Sequence, residues 1–410
     1  MTSSLKGGKA LKIKDLIIKV RRSKYVSNTL KWLFKLASKL PVQKNTVIFE
    51  SFSGKQYSDN PKAIYLYMQE NLPEYNLYWS FDQRYLAKFQ NEDLNVLPRF
   101  SFKWILRMAR AEYWVSNSRL PLWIPKPKHT TYIQTWHGTP LKKLGVDIKE
   151  VHMPGTNTEK YRENFTLEAA KWDYLISPNA YSSEIFRRAF DFKGTMVESG
   201  YPRNDILYTY RESDILKIKE NLKLPKDKKV ILYAPTWRDD DYYSVGKYKF
   251  DLKLDLTRLQ EEFREEFVIL LRMHYLVAEN LDLSEYEGFA YDVSSYRDIN
   301  ELYIVSDVLI TDYSSVFFDY ANLIKPILFF MYDIVDYREK LRGFYFNIEE
   351  QAPGPILKTS EDVEEYLKRI RDNKFELTPR FNQFYERFCY LEDGSASERV
   401  VKEIFKVHTK

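Results

Sequence analysis

The chain holds five histidines and a single cysteine, so few side chains can move a proton near neutral pH. Two of those histidines stand where short apolar runs end. His137 lies in Thr135-Trp136-His137-Gly138-Thr139-Pro140-Leu141 after an apolar run, and His274 lies in Arg272-Met273-His274 after another. Thr139 reads as an N-cap, Pro140 as a first helical position and Gly145 as a stop, which predicts a short helix right after His137. The partial positive charge of a helix N-terminus disfavours imidazolium. A neutral His137 at the mouth of an α/β crevice can accept a proton at pH 7. A structural histidine with its hydrogen bonds satisfied would carry the same local sequence, and position alone does not separate the two.

Other polar groups end neighbouring apolar runs. Thr236-Trp237-Arg238 follows residues 231–235, and Thr311-Asp312-Tyr313-Ser314-Ser315 follows 308–310 and precedes a helical pattern. Hydroxyls and free backbone N–H groups at such a helix start suit phosphate oxygens. Arg238, Arg272 and His274 could offset a diphosphate, and Trp237 could cover a base. Arg203, in Gly200-Tyr201-Pro202-Arg203-Asn204-Asp205, and Gly138 complete the expected substrate contacts. The polar loop 53–59 offers one glycine and one lysine to a phosphate, which is a weak signal.

Several chemistries lack their residues. No Walker loop and no G-x-S-x-G elbow is present. No histidine has zinc-site spacing, and Asp239-Asp240-Asp241 reads as a solvated acidic loop, so no obligatory metal is expected; assistance by Mg²⁺ stays open. With Cys389 alone there is no intrachain disulfide, which fits a reducing compartment.

To position these groups the chain needs strands that stop on a common edge. Short apolar runs alternate with helical patterns from residue 46 onward. Expected strands cover 46–50, 77–81, 94–97, 113–116, 131–135 and 174–177 in the first half. The second half supplies 230–234, 267–271, 288–292, 308–311 and 327–331. The alternation predicts an α/β chain with two Rossmann-like domains facing across a crevice, with ligands at the carboxyl ends of the strands. The expected division is a basic amphipathic segment at 1–44 and domains at 45–199 and 200–390. A C-terminal helix at 391–410, with a capping-box spacing from Ser395 to Glu398, crosses back to the first domain.

The net charge of +5 is unevenly spread. Residues 1–44 hold twelve lysines and arginines against Asp15 alone, so the rest of the chain is net acidic. The same segment carries Trp32 and Phe34, but no apolar run near the roughly 20 residues that span a bilayer. A basic amphipathic stretch of this kind suits an anionic membrane surface. Nucleic acid is not expected, because the basic excess stops before the folded body.

With these motifs assembled, the chain resembles the CDP-glycerol glycerophosphotransferase family of Gram-positive wall teichoic acid synthesis. The resemblance rests on residues 50–63 (ESFSGKQYSDNPKA), 134–145 (QTWHGTPLKKLG), 200–205 (GYPRND), 233–240 (YAPTWRDD), 270–276 (LLRMHYL), 311–315 (TDYSS), 341–346 (LRGFYF) and 391–397 (LEDGSAS). It implies a fold of the glycosyltransferase-B type. It also implies transfer of sn-glycerol 3-phosphate from CDP-glycerol to an undecaprenyl-diphosphate-linked acceptor already carrying glycerol phosphate, with release of CMP, at the cytoplasmic membrane face. The chain looks most like the short enzymes that lack the polymerases' extra N-terminal domain. His137 takes the place of the family's proposed general base, His274 that of a second essential histidine near the donor diphosphate, and Ser314 and Ser315 those of the phosphate-binding serines. Ribitol phosphate transfer from CDP-ribitol, a poly(glycerol phosphate) polymerase and a non-catalytic binder of membrane-anchored polymer are the alternatives. Product length and homo-oligomerisation stay open.

Overall fold

The computed structural model describes residues 24–151, 156–236, 252–273, 282–334, 343–345 and 347–405, together with the backbone of two short strands at 242–244 and 247–248. Seven parallel strands form the first sheet: β1 (Gln43–Glu50), β2 (Asn76–Phe81), β3 (Val96–Pro98), β4 (Ala111–Ser116), β5 (Thr131–Gln134), β6 (Tyr174–Ser177) and β7 (Thr195–Glu198). Their order is β3-β2-β1-β4-β5-β6-β7. The second half begins with β8 (Lys229–Ala234) and the small hairpin β9 (Tyr242–Ser244) and β10 (Lys247–Tyr248). It continues with β11 (Phe267–Leu271), β12 (Ala290–Asp292), β13 (Val308–Thr311), β14 (Ile327–Phe330) and β15 (Ile356–Leu357). Its six-stranded parallel sheet runs β12-β11-β8-β13-β14-β15. In both sheets the strand order reverses beside the first strand, which opens a crevice at the carboxyl edge.

These segments become strands because apolar residues occupy both faces. Val47 and Phe49 enter one core layer and Ile48 the opposite one. Val230 and Leu232 likewise part from Ile231 and Tyr233. Every residue of β11 is buried. A parallel sheet covered on both sides by helices requires that pattern. The edge strands β7 and β15 escaped the sequence reading because β7 is four residues long with polar ends and β15 is only two residues long.

The helices that bear on the site are α1 (Lys24–Ala37), α2 (Asp59–Asn71), α3 (Ala180–Ala189), α4 (Ile299–Val305), α5 (Val316–Tyr320), α6 (Pro379–Phe388) and α7 (Ala396–Ile404). Helix α1 lies on the first domain rather than apart from it. Its Phe34 is fully buried against the rings of Trp104 and Trp114, 6.4 and 6.1 Å away. Burial of such a ring contributes about 1.5–3 kcal/mol. The remainder of the basic segment, residues 1–23, lies outside the described residues. At the other end α7 sets Val400, Val401 and Ile404 into the core layer under β1. Its N-terminus is not capped by Ser395; the Asp205 carboxylate accepts from the N–H groups of Ala396 and Ser397, both at 2.8 Å.

The Gly200–Asp205 turn fastens the two domains together. Arg203 is buried between Asp59 at the start of α2 (3.1 Å) and Asp319 on α5 (2.8 Å). Burial opposes its charge, but Asp319 and Asp59 outweigh that cost and raise its pKa. Asn204 donates to Asp319 and to Glu392. Glu392 also accepts from the Tyr201 N–H, while burial pushes its pKa up to about 8. Gly200 has φ +77°, and a Cβ there would come within 2.9 Å of Glu392. Lys62 with Asp298 and Arg297 with Glu92, both at 2.8 Å, add exposed or half-buried pairs along the same seam.

Replacing Arg203 by Met would leave two carboxylates buried without a counter-charge. Denaturant unfolding of R203M should therefore show a loss of about 3–5 kcal/mol, and R203K should recover little of it, since one ammonium cannot face both acids with a fork.

Candidate active site

A cleft of about 430 Å³ separates the carboxyl edges of the two sheets. The first domain contributes residues 136–142 and Leu144, and the second contributes Ala234, Pro235, Thr236, Arg272, Met273, Ile299 and residues 313–316. His137, Gly138, Thr236, Arg272, Ser314 and Ser315 thus share one space, although nearly 180 positions separate the first from the last.

His137 owes its orientation to the end of β4. Its Nδ1 is 2.7 Å from the carbonyl oxygen of Asn117, which places the proton on Nδ1 and leaves the Nε2 lone pair free to act as a base. The ring stacks on Trp136 (4.4 Å between centroids) and meets Phe52 at 5.8 Å. Its outer edge is open to the cleft. Desolvation by the surrounding wall is the leading influence on its pKa and lowers it; the Asn117 hydrogen bond and Asp59 act upward, and Arg203 acts downward. Water at the open edge offsets part of that desolvation.

No helix follows His137. Residues 137–144 are irregular and extended, and a single 3₁₀ turn begins at Gly145. The segment instead reaches the second domain: Lys143 N donates to Gly343 O (2.9 Å), and Tyr345 N donates to Leu141 O (3.0 Å). Pairing of this strip with residues 343–345 outcompetes the four or five hydrogen bonds of a short isolated helix. Desolvation by the cleft wall, and not a helix dipole, is therefore the leading influence that lowers the His137 pKa.

Strained backbone gathers around the histidine. Trp136, Phe52 and Ser53 have φ of 50°, 47° and 59°, a left-handed conformation costly for side chains with a Cβ. Buried Asn60 holds the turn by donating to the carbonyls of Thr135 (3.3 Å) and Trp136 (3.2 Å). Its Oδ1 accepts from the Arg203 N–H, so the domain clamp and the histidine loop share a residue.

Across the cleft, β13 ends in the Asp312–Ser315 turn. Asp312 accepts from Thr236 N (2.7 Å) and Tyr313 N (2.6 Å), which ties the β8 and β13 ends together. Ser315 stands at the start of α5 without capping it through its side chain. The domains come so close here that a Cβ on Gly138 would lie 3.2 Å from Ser315 Oγ. Arg272 lines the cleft, and its Nη1 donates to the carbonyls of Val293, Ser294 and Tyr296 at 2.6–2.9 Å. Among the described residues it ion-pairs with no carboxylate.

Two expected substrate contacts lie elsewhere. Thr311 is buried and donates to Ala234 O (2.8 Å), which joins β13 to β8. Arg203 spends its guanidinium on the domain clamp. His274, Trp237, Arg238 and the Asp239-Asp240-Asp241 run lie outside the described residues. No group of three or more metal-ligating side chains occurs among the described residues. The sequence reading missed Asn117, Phe52 and Asn60. The polar Ser116-Asn117-Ser118 triplet after an apolar strand was the available signal for the first, whereas Asn60 read only as the start of a helix.

Two doubly wound domains with a cleft between their carboxyl edges define a fold of the glycosyltransferase-B type. UDP-N-acetylglucosamine 2-epimerase structures share that fold at a TM-score of 0.51 with 14–16% identity. A family model described as CDP-Glycerol:Poly(glycerophosphate) glycerophosphotransferase matches residues 32–406, and the chain belongs to that family. It is 60% identical over 401 residues to a teichoic acid poly(glycerol phosphate) polymerase of Bacillus subtilis, covering 96% of this chain and 54% of that protein. The chain thus spans about half the length of that relative. It is 46% identical to the teichoic acid glycerol-phosphate transferase of Staphylococcus aureus, covering 95% of this chain and all of that one. Among solved structures, the wall teichoic acid polymerase TagF superposes with a TM-score of 0.86 at 45% identity, covering 99% of this chain and 98% of that one.

The close approach at Gly138 gives a direct test. Gly138→Ala should push the Ser315 wall back and lower kcat/KM by about tenfold while leaving the unfolding midpoint unchanged. Adding Ser315→Ala, which removes the crowded oxygen, should not worsen the thermal stability of G138A.

Proposed function

We propose that this protein transfers sn-glycerol 3-phosphate from CDP-glycerol to the terminal glycerol phosphate of an undecaprenyl-diphosphate-linked teichoic acid precursor. The observation that carries the reading is His137, its Nδ1 committed to Asn117 and its Nε2 open to a cleft whose opposite wall bears Thr236, Arg272, Ser314 and Ser315. Family membership supplies the donor class.

In this reading the donor lies along the carboxyl edge of the second sheet. Ser314, Ser315 and Thr236 face its phosphates, and Arg272 offsets their charge. The acceptor's primary hydroxyl approaches from the first domain. His137 Nε2 takes the hydroxyl proton as the oxygen attacks the glycerol-bearing phosphorus. The bond from that phosphorus to the bridging oxygen breaks, and CMP leaves with the electron pair. Such a displacement needs in-line placement and charge stabilisation more than covalent help from the protein. His274, Trp237, Arg238 and Gly138 keep their proposed roles beside the donor.

Polymerisation is the second reading. It is favoured by the higher identity to two teichoic acid poly(glycerol phosphate) polymerases, 60% and 58%, than to the teichoic acid glycerol-phosphate transferase at 46%. Mass analysis of products from CDP-glycerol on a defined primed acceptor reports donor, reaction and length together. A matching assay with CDP-ribitol decides the polyol.

The reaction needs a peripheral position on the cytoplasmic membrane face, where such an acceptor is anchored. Helix α1 presents Tyr25, Trp32 and Leu36 to solvent beside Lys31 and Lys35. No described helix is long and apolar enough to cross a membrane.

His137→Asn should lower kcat by about 10²–10⁴-fold and leave CDP-glycerol affinity within a few-fold, measured by turnover and by calorimetry. Because the base must be neutral and burial lowers its pKa, the acid limb of kcat/KM should fall at a pH below the ordinary histidine value of 6.5. A limb centred above 6.5 would rule out His137 as the titrating group. Deleting residues 1–23, which leaves Phe34 docked, should weaken sedimentation with anionic vesicles at low salt and spare turnover on a soluble acceptor analogue; unchanged sedimentation would remove the membrane role of that segment.

A further inference from the structure

A second recess, of about 440 Å³, opens in the first domain next to the histidine loop. Ser53, Arg99, Arg119, Leu122, Tyr161 and Glu168 stand in its wall. It shares its frame with His137. Phe52 N donates to Asn117 Oδ1 (2.8 Å) and Ser53 N to Ser118 Oγ (2.9 Å), while the Asn117 carbonyl holds the histidine ring. Arg119 follows Asn117 by two residues, so their Cα atoms are at most about 7 Å apart. A second route joins the same points: Trp136, stacked on His137, meets Phe165 at 6.1 Å, and the Arg119 guanidinium lies 4.3 Å over that Phe165 ring.

The two arginines of the recess are in different states. Arg99 is paired with Glu50 at 3.1 Å, and its Nη1 donates to Ser53 O. Arg119 ion-pairs with no carboxylate among the described residues. Its guanidinium packs over the Phe165 ring at 4.3 Å and lies 5.7 Å from the Tyr161 ring on the same helix, contacts that hold a cation without neutralising it. Glu168 is the acid in this wall. It is occupied by Leu120 N, Tyr132 Oη and Trp172 Nε1 at 2.6–3.1 Å, and burial pushes its pKa up to about 7, so it repels an anion less than an ordinary carboxylate.

We propose that this recess binds a phosphodiester of the acceptor, the one that joins the attacking glycerol to the rest of the chain, with Arg119 as its cation. The inference rests on the glycerophosphotransferase reading and extends it to the acceptor side. An acceptor that ends in glycerol phosphate always carries an anionic phosphorus a few bonds from its attacking hydroxyl. A base that holds the hydroxyl in a crevice also draws that phosphate out of water, and an unpaired charge there is costly. Arg119 stands where it can supply the counter-charge without touching the donor, which lies across the cleft.

The test uses the full chain, CDP-glycerol and two soluble acceptors, one with the natural phosphodiester and one with a neutral methylphosphonate in its place. Arg119→Gln should raise KM for the charged acceptor about tenfold or more, with KM for CDP-glycerol and the unfolding midpoint unchanged. On the neutral acceptor R119Q should match the unmodified protein. Arg119→Lys, which keeps the charge but not the fork, should fall between them, and it also carries the test should R119Q prove unstable. Equal losses on both acceptors, or an unchanged KM for the charged one, would overturn the assignment. If the unmodified chain released no CMP from CDP-glycerol with the charged acceptor, the transferase reading itself would fall, and this subsite with it.

Discussion

The buried clamp of Arg203 between Asp59 and Asp319 sets the geometry on which everything else depends. Neither domain alone contains a complete site. The clamp joins the start of α2 in the first domain to α5 in the second, the helix that Ser315 precedes. Asn60, next to Asp59 in the chain, holds both the Arg203 backbone and the two carbonyls ahead of His137. A charge buried among carboxylates and amides tolerates little displacement, because each lost contact leaves a desolvated ion. The distance across the cleft is therefore fixed by electrostatics and hydrogen bonds, with the apolar cores behind them.

That arrangement also fixes the tautomer and orientation of His137 while leaving its outer edge open to the cleft. The Asn117 carbonyl chooses the tautomer, Trp136 chooses the plane, and the surrounding wall favours the uncharged ring. Left-handed backbone at Phe52, Ser53 and Trp136 is the cost of aiming the ring at the opposite sheet. Arg272 links the same cleft to the 293–296 loop through three carbonyls, and Arg297 and Asp298, just beyond that loop, pair with the first domain. The Arg272 wall of the cleft and the domain seam are thus parts of one connected structure.

Strand positions were legible because each is an apolar run with both faces buried, and burial on two sides leaves a plain signal. The rim was legible for a related reason: polar groups that directly follow such runs must emerge at the carboxyl edge. His137, Thr236, Arg272, Ser314 and Ser315 were found in that way. The helix expected after His137 was not there, since Thr139, Pro140 and Gly145 supply local preferences that pairing with residues 343–345 overrides. Arg203 looked like a ligand group because an arginine in a turn carries no mark of the acids it will meet from 144 and 116 positions away.

By itself the sequence determined the two doubly wound sheets and the histidine and hydroxyl groups on their rims. These follow from periodicity and composition, which act over a few residues. Tertiary structure alone decided that Asn117 would orient His137, that Arg203 would lock the domains, that Asp205 would cap a helix 191 residues later, and that Arg119 would pack over Phe165 with no ion pair among the described residues. Those outcomes depend on which desolvated charges and carbonyls meet when two domains close, and no local pattern encodes the meeting of groups so far apart in the chain.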